Sequence, residues 1–432
     1  MTADAGTHVA PAHGALPGPS DGLLAELEGA YRDIHAHPEL SMQERRTAGI
    51  AAAWLRQQGY EATEGVGGTG VVGLLRNGDG ATVLLRADMD ALPIQESTGL
   101  PYASNASGTD RFGQATAIAH SCGHDMHVAW LMGATRILAE NRDAWRGTVL
   151  AVFQPGEETA QGARAMIEDG MVKRFPRPDV TLGQHLGPFP AGQIGWRIGT
   201  MASAGDSWEV TLFGRGAHGA MPQKGVDPVV MAASAVMRLQ TVVSREVAMT
   251  DGAVVTVGTL RAGMNENVIP DQALLRLNVR TFEDQVRARV LAAIRRILDA
   301  EAAASGAPKP PGYSVLGEHP LTRNDEAATR KVVAALERRL GADRVLEMAE
   351  PLTASEDFGL FGAAWDVPAV FWLVGGVDPE KFEAAERAGR LDEIPSNHAP
   401  DFAPVIDPTL RTGVEAMLAA AGAWLADGAA KP

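Results

Sequence analysis

The chain has 432 residues, 45% of them hydrophobic and 21% charged, which is typical of a globular protein with two or three domains. Its net charge of −15 argues against a nucleic-acid or anionic-membrane partner, because nothing offsets the repulsion from phosphate groups. The single cysteine excludes an internal disulfide framework and favours a reducing cytoplasm. No apolar run approaches the roughly 18 residues of a membrane-spanning helix.

The first part of the chain alternates between helices and strands. Residues 1–20 are predicted to be a disordered leader, since they lack the basic start and apolar core of a secretory signal. Apolar spacing predicts helices from Asp21 to Ile34, over Ala48–Gln58 and over Val128–Leu138. Strands are predicted over Val71–Arg76, Thr82–Ala87, Gly147–Gln154 and Val180–Gly183.

The middle of the chain changes character. Strands over Trp208–Phe213, Ala253–Leu260, Ala273–Arg280 and Tyr313–Leu316 are interleaved with helices over Pro228–Thr241 and Val286–Leu298. Their β-α-β-β-α-β order is that of a ferredoxin-like domain. The final third returns to an α/β pattern, with a helix over Ala327–Leu340, a strand over Pro368–Val374 and a closing helix that carries Leu410 to Trp424.

These elements predict an α/β fold with a second domain inserted into the first. The catalytic domain comprises residues 21–200 and 313–427 and contains a central mixed, mostly parallel sheet. A smaller ferredoxin-like α+β domain, residues 201–312, interrupts it.

One short segment concentrates potential metal ligands. Residues 120–127, His-Ser-Cys-Gly-His-Asp-Met-His, contain the only cysteine and three of the eleven histidines. Cys122 and His124 flank a glycine, so in an extended loop both side chains could bind one metal ion. The segment alone leaves two other interpretations open, a surface loop without function and a Cys/His nucleophilic pair.

Further donor residues follow the predicted strands. Asp88 and Asp90 follow the strand Thr82–Ala87, Glu157 and Glu158 follow Gly147–Gln154, and His185 follows Val180–Gly183. Open α/β sheets place their chemistry at the carboxyl ends of the strands. We therefore expect these side chains to lie together.

The donors are too many for one tetrahedral zinc ion with an open position, and they suit two metal ions that share a bridging group. The predicted ligands are Cys122, His124, Glu158, His185 and His398. Cys122 is then a thiolate ligand and not a nucleophile. Glu157 diverges from Glu158 and is predicted to take a proton from water and to pass it to the leaving amine. His120 and His127 are interpreted as supporting residues.

A series of motifs resembles a known family over nearly the whole chain, from about Leu24 to Leu425. The motifs are Arg-Asp-Ile-His-Ala-His-Pro-Glu at 32–39, Arg-Ala-Asp-Met-Asp-Ala-Leu-Pro at 86–93, Cys-Gly-His-Asp-Met-His at 122–127, Gln-Pro-Gly-Glu-Glu at 154–158, Gly-Ala-His at 216–218, Asn-Val-Ile-Pro at 267–270 and Ser-Glu-Asp-Phe at 355–358. The chain resembles the two-metal aminoacylase/carboxypeptidase peptidase family, in the amidohydrolase branch with hippurate hydrolase and the indole-acetyl-amino-acid hydrolases. The family more often has Ala at the place of Gly156. We expect the glycine of this chain to loosen the turn slightly.

The resemblance implies an activity and further site residues. It implies a cytoplasmic, homodimeric enzyme that hydrolyses N-acyl amino acids, with the inserted domain acting as lid and dimer interface. The same five metal ligands and Glu157 match the family's motifs. His218 matches a histidine that reaches the partner subunit's active site and steadies the oxyanion. Asn267 and Arg280 match lid positions that hold the substrate carboxylate, and Asp90 supports a ligand without binding metal itself.

Alternatives remain at the level of sequence. A dipeptidase or carboxypeptidase of the same family is the first, and a metal-binding or scaffolding protein without catalysis is the second. Thiolate and imidazole ligands favour zinc, while manganese, cobalt or nickel also suit such a site. Lid loops and pocket walls decide the acyl group and the amino acid, so the sequence names neither.

Overall fold

The computed structural model describes residues 16–425. Within this range the α-helices are α1 Asp21–Ala36, α2 Arg45–Gln57, α3 His124–Glu140, α4 Gly162–Glu168, α5 Met171–Arg174, α6 Pro228–Glu246, α7 Asp284–Ala304, α8 Glu326–Leu340, α9 Gly359–Trp365, α10 Pro379–Arg387 and α11 Ile406–Leu425. The strands are β1 Glu61–Val66, β2 Gly70–Asn77, β3 Thr82–Asp88, β4 Ser107–Thr109, β5 Ala115–Ala117, β6 Gly147–Gln154, β7 Val180–Pro190, β8 Ile194–Trp196, β9 Gly199–Ala202, β10 Ala204–Phe213, β11 Ala217–His218, β12 Ala253–Ala262, β13 Val268–Ile269, β14 Gln272–Thr281, β15 Gly312–His319, β16 Thr322–Asn324, β17 Val345–Glu347 and β18 Ala369–Val377. Across this part of the chain, every helix is too short or too polar to cross a lipid bilayer.

The predicted leader falls mostly outside the described residues, which begin at Leu16. Residues 16–20 are packed: Leu16 is buried, and Arg339 donates hydrogen bonds to the carbonyl oxygens of Leu16 and Pro17 at 2.9 and 3.1 Å. Ser20 then caps α1, because its Oγ accepts a hydrogen bond from the backbone N–H of Leu23 at 3.2 Å. Residues 16–20 therefore contact the rest of the larger unit before the first helix begins.

The larger of two compact units contains residues 16–199, 324–349 and 360–425 of the described chain. Its eight-stranded sheet, counted over these residues, has the order β1-β2-β6-β3-β7-β18-β8-β17. The central strands β6, β3, β7 and β18 are parallel to one another. They are buried along almost their whole length, as expected for parallel strands covered on both faces. The predicted α/β fold with a mostly parallel sheet is confirmed.

The parallel strands bring the chemistry-bearing residues to one edge of the sheet. Asp88 is the last residue of β3, and Glu157 and Glu158 follow the end of β6 by three and four residues. The prediction that the next strand ends at Gly183 is wrong, since β7 continues to Pro190. It continues because β18 goes on pairing with it, with Leu373 opposite His185 and Gly375 opposite Gly187. His185 therefore lies within a strand, where its backbone is held on one side by β18.

The second unit contains residues 200–323 and 350–359. Its four-stranded sheet, in the described residues, is antiparallel with the order β12-β14-β10-β15. Since these strands follow in the chain as β10-α6-β12-β14-α7-β15, the spatial order is that of a ferredoxin-like fold. Residues of α6 and α7 such as Leu239 and Ile294 are buried against inward-facing strand residues such as Leu275.

Replacing Arg287 is expected to destabilise this second unit. Arg287 on α7 forms two hydrogen bonds, of 2.7 and 2.9 Å, with the carboxylate of Asp206, which is buried on β10. The variant Arg287→Met would leave that carboxylate buried without a counter-charge, at a cost of about 3 kcal/mol. Chemical denaturation measures the loss, with Arg330→Met on an exposed α8 ion pair as control. Equal stability of the two variants would contradict the expectation.

Candidate metal centre

A glycine and a helix start position Cys122 and His124. The predicted helix start at Val128 is wrong, since α3 begins at His124. Gly123 precedes it with φ +88°, and a Cβ atom there would lie 2.4 Å from Leu186 Cδ2, so only glycine fits. The chain thus turns sharply between the two predicted ligands. Cys122 Sγ, His124 and Glu158 have ligand atoms within 4.8 Å of one another.

A loop from the far end of the chain completes the cluster. Asn397 Nδ2 donates hydrogen bonds to the carbonyl oxygens of Cys122 and Leu186, both at 3.1 Å, and the His398 N–H donates to Ser121 O at 2.7 Å. His398 has φ 72°, a conformation that non-glycine residues adopt only where the surroundings impose it. Asn397 was not predicted as a site residue, although it lies inside the Ser-Asn-His sequence that drew attention to His398.

The structure brings all five predicted ligands together in the larger unit. Cys122 Sγ lies 3.5 Å from His185 Nε2, and Glu158 Oε1 lies 3.3 Å from His398 Nε2 and 3.8 Å from His124 Nε2. His124 Nε2 and Glu158 Oε1 are buried and have no hydrogen-bond partner. Buried polar atoms without partners are uncommon and need an explanation. A metal ion between them would satisfy these atoms, so the donor set fits the cations implied by the sequence.

The tautomers of two histidines are set by their neighbours. His185 Nδ1 donates to the carbonyl oxygen of Leu186 at 2.8 Å, and His124 Nδ1 donates to Asp90 Oδ1 at 3.2 Å. In each ring Nε2 therefore faces the cluster, where its lone pair becomes available to a metal ion once the ring is neutral. Asp90 thus contacts a predicted ligand from outside the donor set.

His127 lies in the same cluster but uses both ring nitrogens elsewhere. Its Nε2 accepts a hydrogen bond from the Leu186 N–H at 2.8 Å, so Nδ1 carries the proton and donates to Asp88 Oδ1 at 2.5 Å. Burial lowers the pKa of His127 to about 3 despite the nearby Asp88 charge, which keeps the ring neutral. Asp88 also accepts a hydrogen bond from the buried Arg86 at 2.7 Å. Asp88 was noted as a strand-end residue, but its position in this network was not predicted.

The charges of the cluster hold protons on its histidines when no metal is bound. Burial alone would lower the pKa of His124, but Asp88 and the Cys122 thiolate raise it well above its ordinary value. Burial is likewise outweighed at His398, where the neighbouring Cys122 and Glu158 raise the pKa to about 11. Burial and Glu158 raise the pKa of Cys122, but His185 and His124 bring it down to about 6. The sulfur is therefore a thiolate at neutral pH, as a metal ligand must be.

Glu157 is buried beside the cluster, with its Oε2 4.0 Å from His124 Nε2. The preceding residue, Gly156, has φ +54° and is held on both sides. Its N–H donates to Glu44 Oε1 at 2.8 Å, and its carbonyl oxygen accepts from the N–H groups of Gln161 and Gly162. These hydrogen bonds fix the turn, and its positive φ favours glycine.

The variant Gly156→Ala is expected to lower the free energy of unfolding by about 1–2 kcal/mol. A non-glycine residue at this positive φ is strained, and its Cβ would lie 2.5 Å from Met42 Sδ. Denaturant unfolding at fixed metal concentration measures the change. The double variant Gly156→Ala/Met42→Ala should lose less stability than the sum of the two single variants. The reason is that the Met42 side chain no longer clashes with the new Cβ. Strict additivity would contradict the steric explanation.

The remaining predicted residues lie in the second unit. His218 on β11 is exposed and opposite Val268 on β13, and its Nδ1 accepts a hydrogen bond from the Ala220 N–H at 3.0 Å. Asn267 is close to it, since its carbonyl oxygen accepts from the Gly219 N–H at 2.7 Å. Arg280 lies on β14, where it donates to Asn278 Oδ1 at 3.0 Å and to the Ser355 hydroxyl.

The chain is similar to characterised hydrolases over most of its length. Hippurate hydrolase of Campylobacter jejuni is 36% identical over 341 residues, which cover 78% of this chain and 85% of the relative. N-acetyl-L-cysteine deacetylase of Bacillus subtilis is 38% identical over 342 residues, 78% of each chain. The crystal structure of the YXEP protein of Bacillus subtilis, described as a dinuclear metal-binding peptidase of the M20 family, superposes with a TM-score of 0.72 at 30% identity and covers 93% of this chain and 98% of its own.

These similarities and the match of a family profile agree with the resemblance drawn from the motifs, and the prediction of an amidohydrolase-branch enzyme is confirmed. The matched profile extends over residues 84–395, from β3 to the loop before His398. The chain is a member of Peptidase family M20/M25/M40.

Proposed function

We propose that this enzyme hydrolyses the amide bond of N-acyl amino acids and releases a carboxylic acid and a free amino acid. The observation that carries the proposal is the convergence of a thiolate, three imidazoles and a carboxylate, with Glu157 beside one of the imidazoles, that of His124. One of the similar proteins is named as a deacetylase of N-acetyl-L-cysteine and another as a hydrolase of hippurate, which supports this substrate class.

The donor set would hold two divalent metal ions in each subunit, zinc or manganese, with cobalt or nickel also compatible. The ligands are Cys122, His124, Glu158, His185 and His398. When bound, the ions supply Lewis acidity, which acidifies a water molecule and polarises the substrate carbonyl. Asp90 orients His124 through its hydrogen bond to Nδ1.

Glu157 moves the proton. Its carboxylate accepts a proton from the attacking water, so that the oxygen forms a bond to the carbonyl carbon of the amide. The same carboxyl group then donates that proton to the amide nitrogen as the carbon–nitrogen bond breaks. A neighbouring glutamate is well suited to this role, since adjacent side chains diverge and Glu158 would occupy the ligand position.

The second unit would supply substrate recognition. Arg280 offers a planar fork of N–H donors that suits the carboxylate of an amino acid, and Asn267 would add an amide donor. His218, which is exposed on a two-stranded ribbon, would stabilise the developing oxyanion in the partner subunit.

We also infer a homodimer formed through the second unit. Strand β12 ends its sheet, so one of its backbone edges has no strand partner among the described residues. Val254 and Leu260 on this strand are 53% and 44% exposed, and Val230 and Met237 on α6 are 65% and 73% exposed. Apolar side chains beside an unpaired edge favour pairing with a second copy.

The proposed compartment is the cytoplasm, because the thiolate at Cys122 favours a reducing environment.

A substrate panel tests the proposed activity. Purified protein loaded with zinc or manganese is assayed with N-acetyl and N-benzoyl amino acids, dipeptides and longer peptides. Release of the free amino acid from the acylated compounds, with little cleavage of dipeptides, is the expected result. Cleavage of peptides alone would favour the dipeptidase or carboxypeptidase alternative. Stoichiometric metal without any hydrolysis would favour a protein that has lost catalysis.

A further inference from the structure

The short segment between α1 and α2 contacts both ends of the turn that carries Glu157. Two buried carboxylates mediate these contacts, one from Glu44 at the start of α2 and one from Asp90 after β3. Glu44 is far from this turn in sequence and was not part of any predicted site. A fully buried carboxylate is costly for stability unless each of its oxygens has hydrogen-bond donors.

Glu44 binds the turn at Gly156. Its Oε1 accepts hydrogen bonds from the Met42 N–H at 2.7 Å and from the Gly156 N–H at 2.8 Å, and its Oε2 accepts from the Thr69 hydroxyl at 2.5 Å. One carboxylate thus links the α1–α2 segment, the start of β2 and the residue immediately before Glu157.

Asp90 binds the other end of the turn. Its Oδ2 accepts a hydrogen bond from the Glu158 N–H at 3.0 Å and from the Ser41 hydroxyl at 2.6 Å. Glu157 therefore lies between two peptide groups that are held by separate carboxylates, Gly156 by Glu44 and Glu158 by Asp90. Removing one carboxylate takes away one of these two anchors and leaves the other in place.

We propose that Glu44 is a positioning residue that holds Glu157 at the distance its proton transfer requires, while Asp90 independently holds the ligand Glu158. This inference rests on the proposed role of Glu157. Displacing a catalytic group by about 1 Å costs on the order of 10²-fold in rate. Loss of Glu44 should therefore lower the rate of the chemical step without lowering metal content, since Glu158 keeps its own anchor.

Glutamine should replace Glu44 with little loss. Burial and the nearby charge of Asp90 raise the pKa of Glu44 to about 7, which favours the neutral form of its side chain. The amide oxygen of glutamine accepts from the N–H groups of Met42 and Gly156, and the hydroxyl of Thr69 accepts from the amide nitrogen after rotating.

The test compares Glu44→Met, Glu44→Gln and a matched control. Methionine fills a similar volume without an acceptor, and Glu44→Ala serves as a second truncation if the methionine variant is insoluble. The control is Glu39→Ala, because Glu39 accepts from the N–H groups of Arg46 and Thr47 at the same helix start, both at 2.8 Å. The variant Glu39→Ala therefore weakens the start of α2 but leaves the hydrogen bond between Glu44 and Gly156 in place.

We expect Glu44→Met to lower kcat about 10²-fold with KM and metal stoichiometry near the wild-type values, whereas Glu44→Gln and Glu39→Ala stay within about fivefold of wild-type kcat. Wild-type kcat in Glu44→Met, an equal loss in Glu39→Ala, or a loss that follows metal content would overturn the inference. Crystal structures of the wild type and Glu44→Met keep the test independent of activity. A wild-type protein that hydrolyses nothing refutes the proposed function, while an unmoved Glu157 carboxylate in Glu44→Met refutes the positioning role.

Discussion

Replacing Glu157 with glutamine is expected to lower kcat about 10³-fold while both metal ions remain bound. The amide is nearly the same size as the carboxylate but cannot accept the proton of the attacking water, and general acid–base catalysis contributes on the order of 10²–10⁴-fold. The five ligands are unchanged in this variant, so metal content should equal that of the wild type. Steady-state kinetics and elemental analysis of the same preparation measure both quantities.

Glu158→Gln is the matched control, because the two residues are adjacent and differ in the contacts of their side chains. Glu158 Oε1 lies 3.3 Å from His398 Nε2, while Glu157 Oε2 approaches His124 Nε2 only to 4.0 Å. The control should lose metal together with activity. If Glu157→Gln also lost metal, or kept its activity, Glu157 would not be the proton carrier.

Metal binding is expected to release at least two protons per subunit at pH 7, with an apparent affinity that rises steeply with pH. In the metal-free protein His398 has a pKa of about 11, and the pKa of His124 is raised well above its ordinary value. Both rings are therefore protonated at pH 7, and both must lose a proton to bind a cation. Below these pKa values, each displaced proton lowers the metal affinity about tenfold for every unit by which the pH falls. Two displaced protons therefore lower it about 10²-fold per pH unit.

Isothermal titration calorimetry in buffers of different ionisation enthalpy counts these protons. Cys122 should add little to the count at pH 7, since its pKa of about 6 leaves the sulfur mostly ionised. Below pH 6 the thiolate also takes up a proton, and the dependence on pH should become steeper. An affinity that does not change between pH 6 and 8 would contradict this account of the cluster.

The sequence predicted the architecture well where one strong pattern decided the structure. The apolar run from Gly147 to Gln154 has the bounds of β6, and the β-α-β-β-α-β order matches the sheet of the second unit. Element ends were less predictable where tertiary contacts decide them. The extension of β7 through His185 depends on pairing with β18, almost 190 residues later in the chain, which no local pattern reveals.

The site shows the same division. Residue types suggested Cys122, His124 and Glu158 as ligands, because thiolate, imidazole and carboxylate are uncommon together unless a metal needs them. The residues that orient them carry no such signal: Asn397 resembles any loop asparagine, and Glu44 resembles a solvent-exposed helix residue until its burial is seen. The roles of His218, Asn267 and Arg280, the dimer and the identity of the metal stay predictions.

Anomalous diffraction from crystals of the wild-type protein grown with manganese or zinc tests the central claim most directly. We predict two peaks about 3.5–4 Å apart, within bonding distance of Cys122, His124, Glu158, His185 and His398, and no peak bonded to Glu157. A single peak, or ions bound away from these side chains, would contradict the account of a two-metal hydrolase.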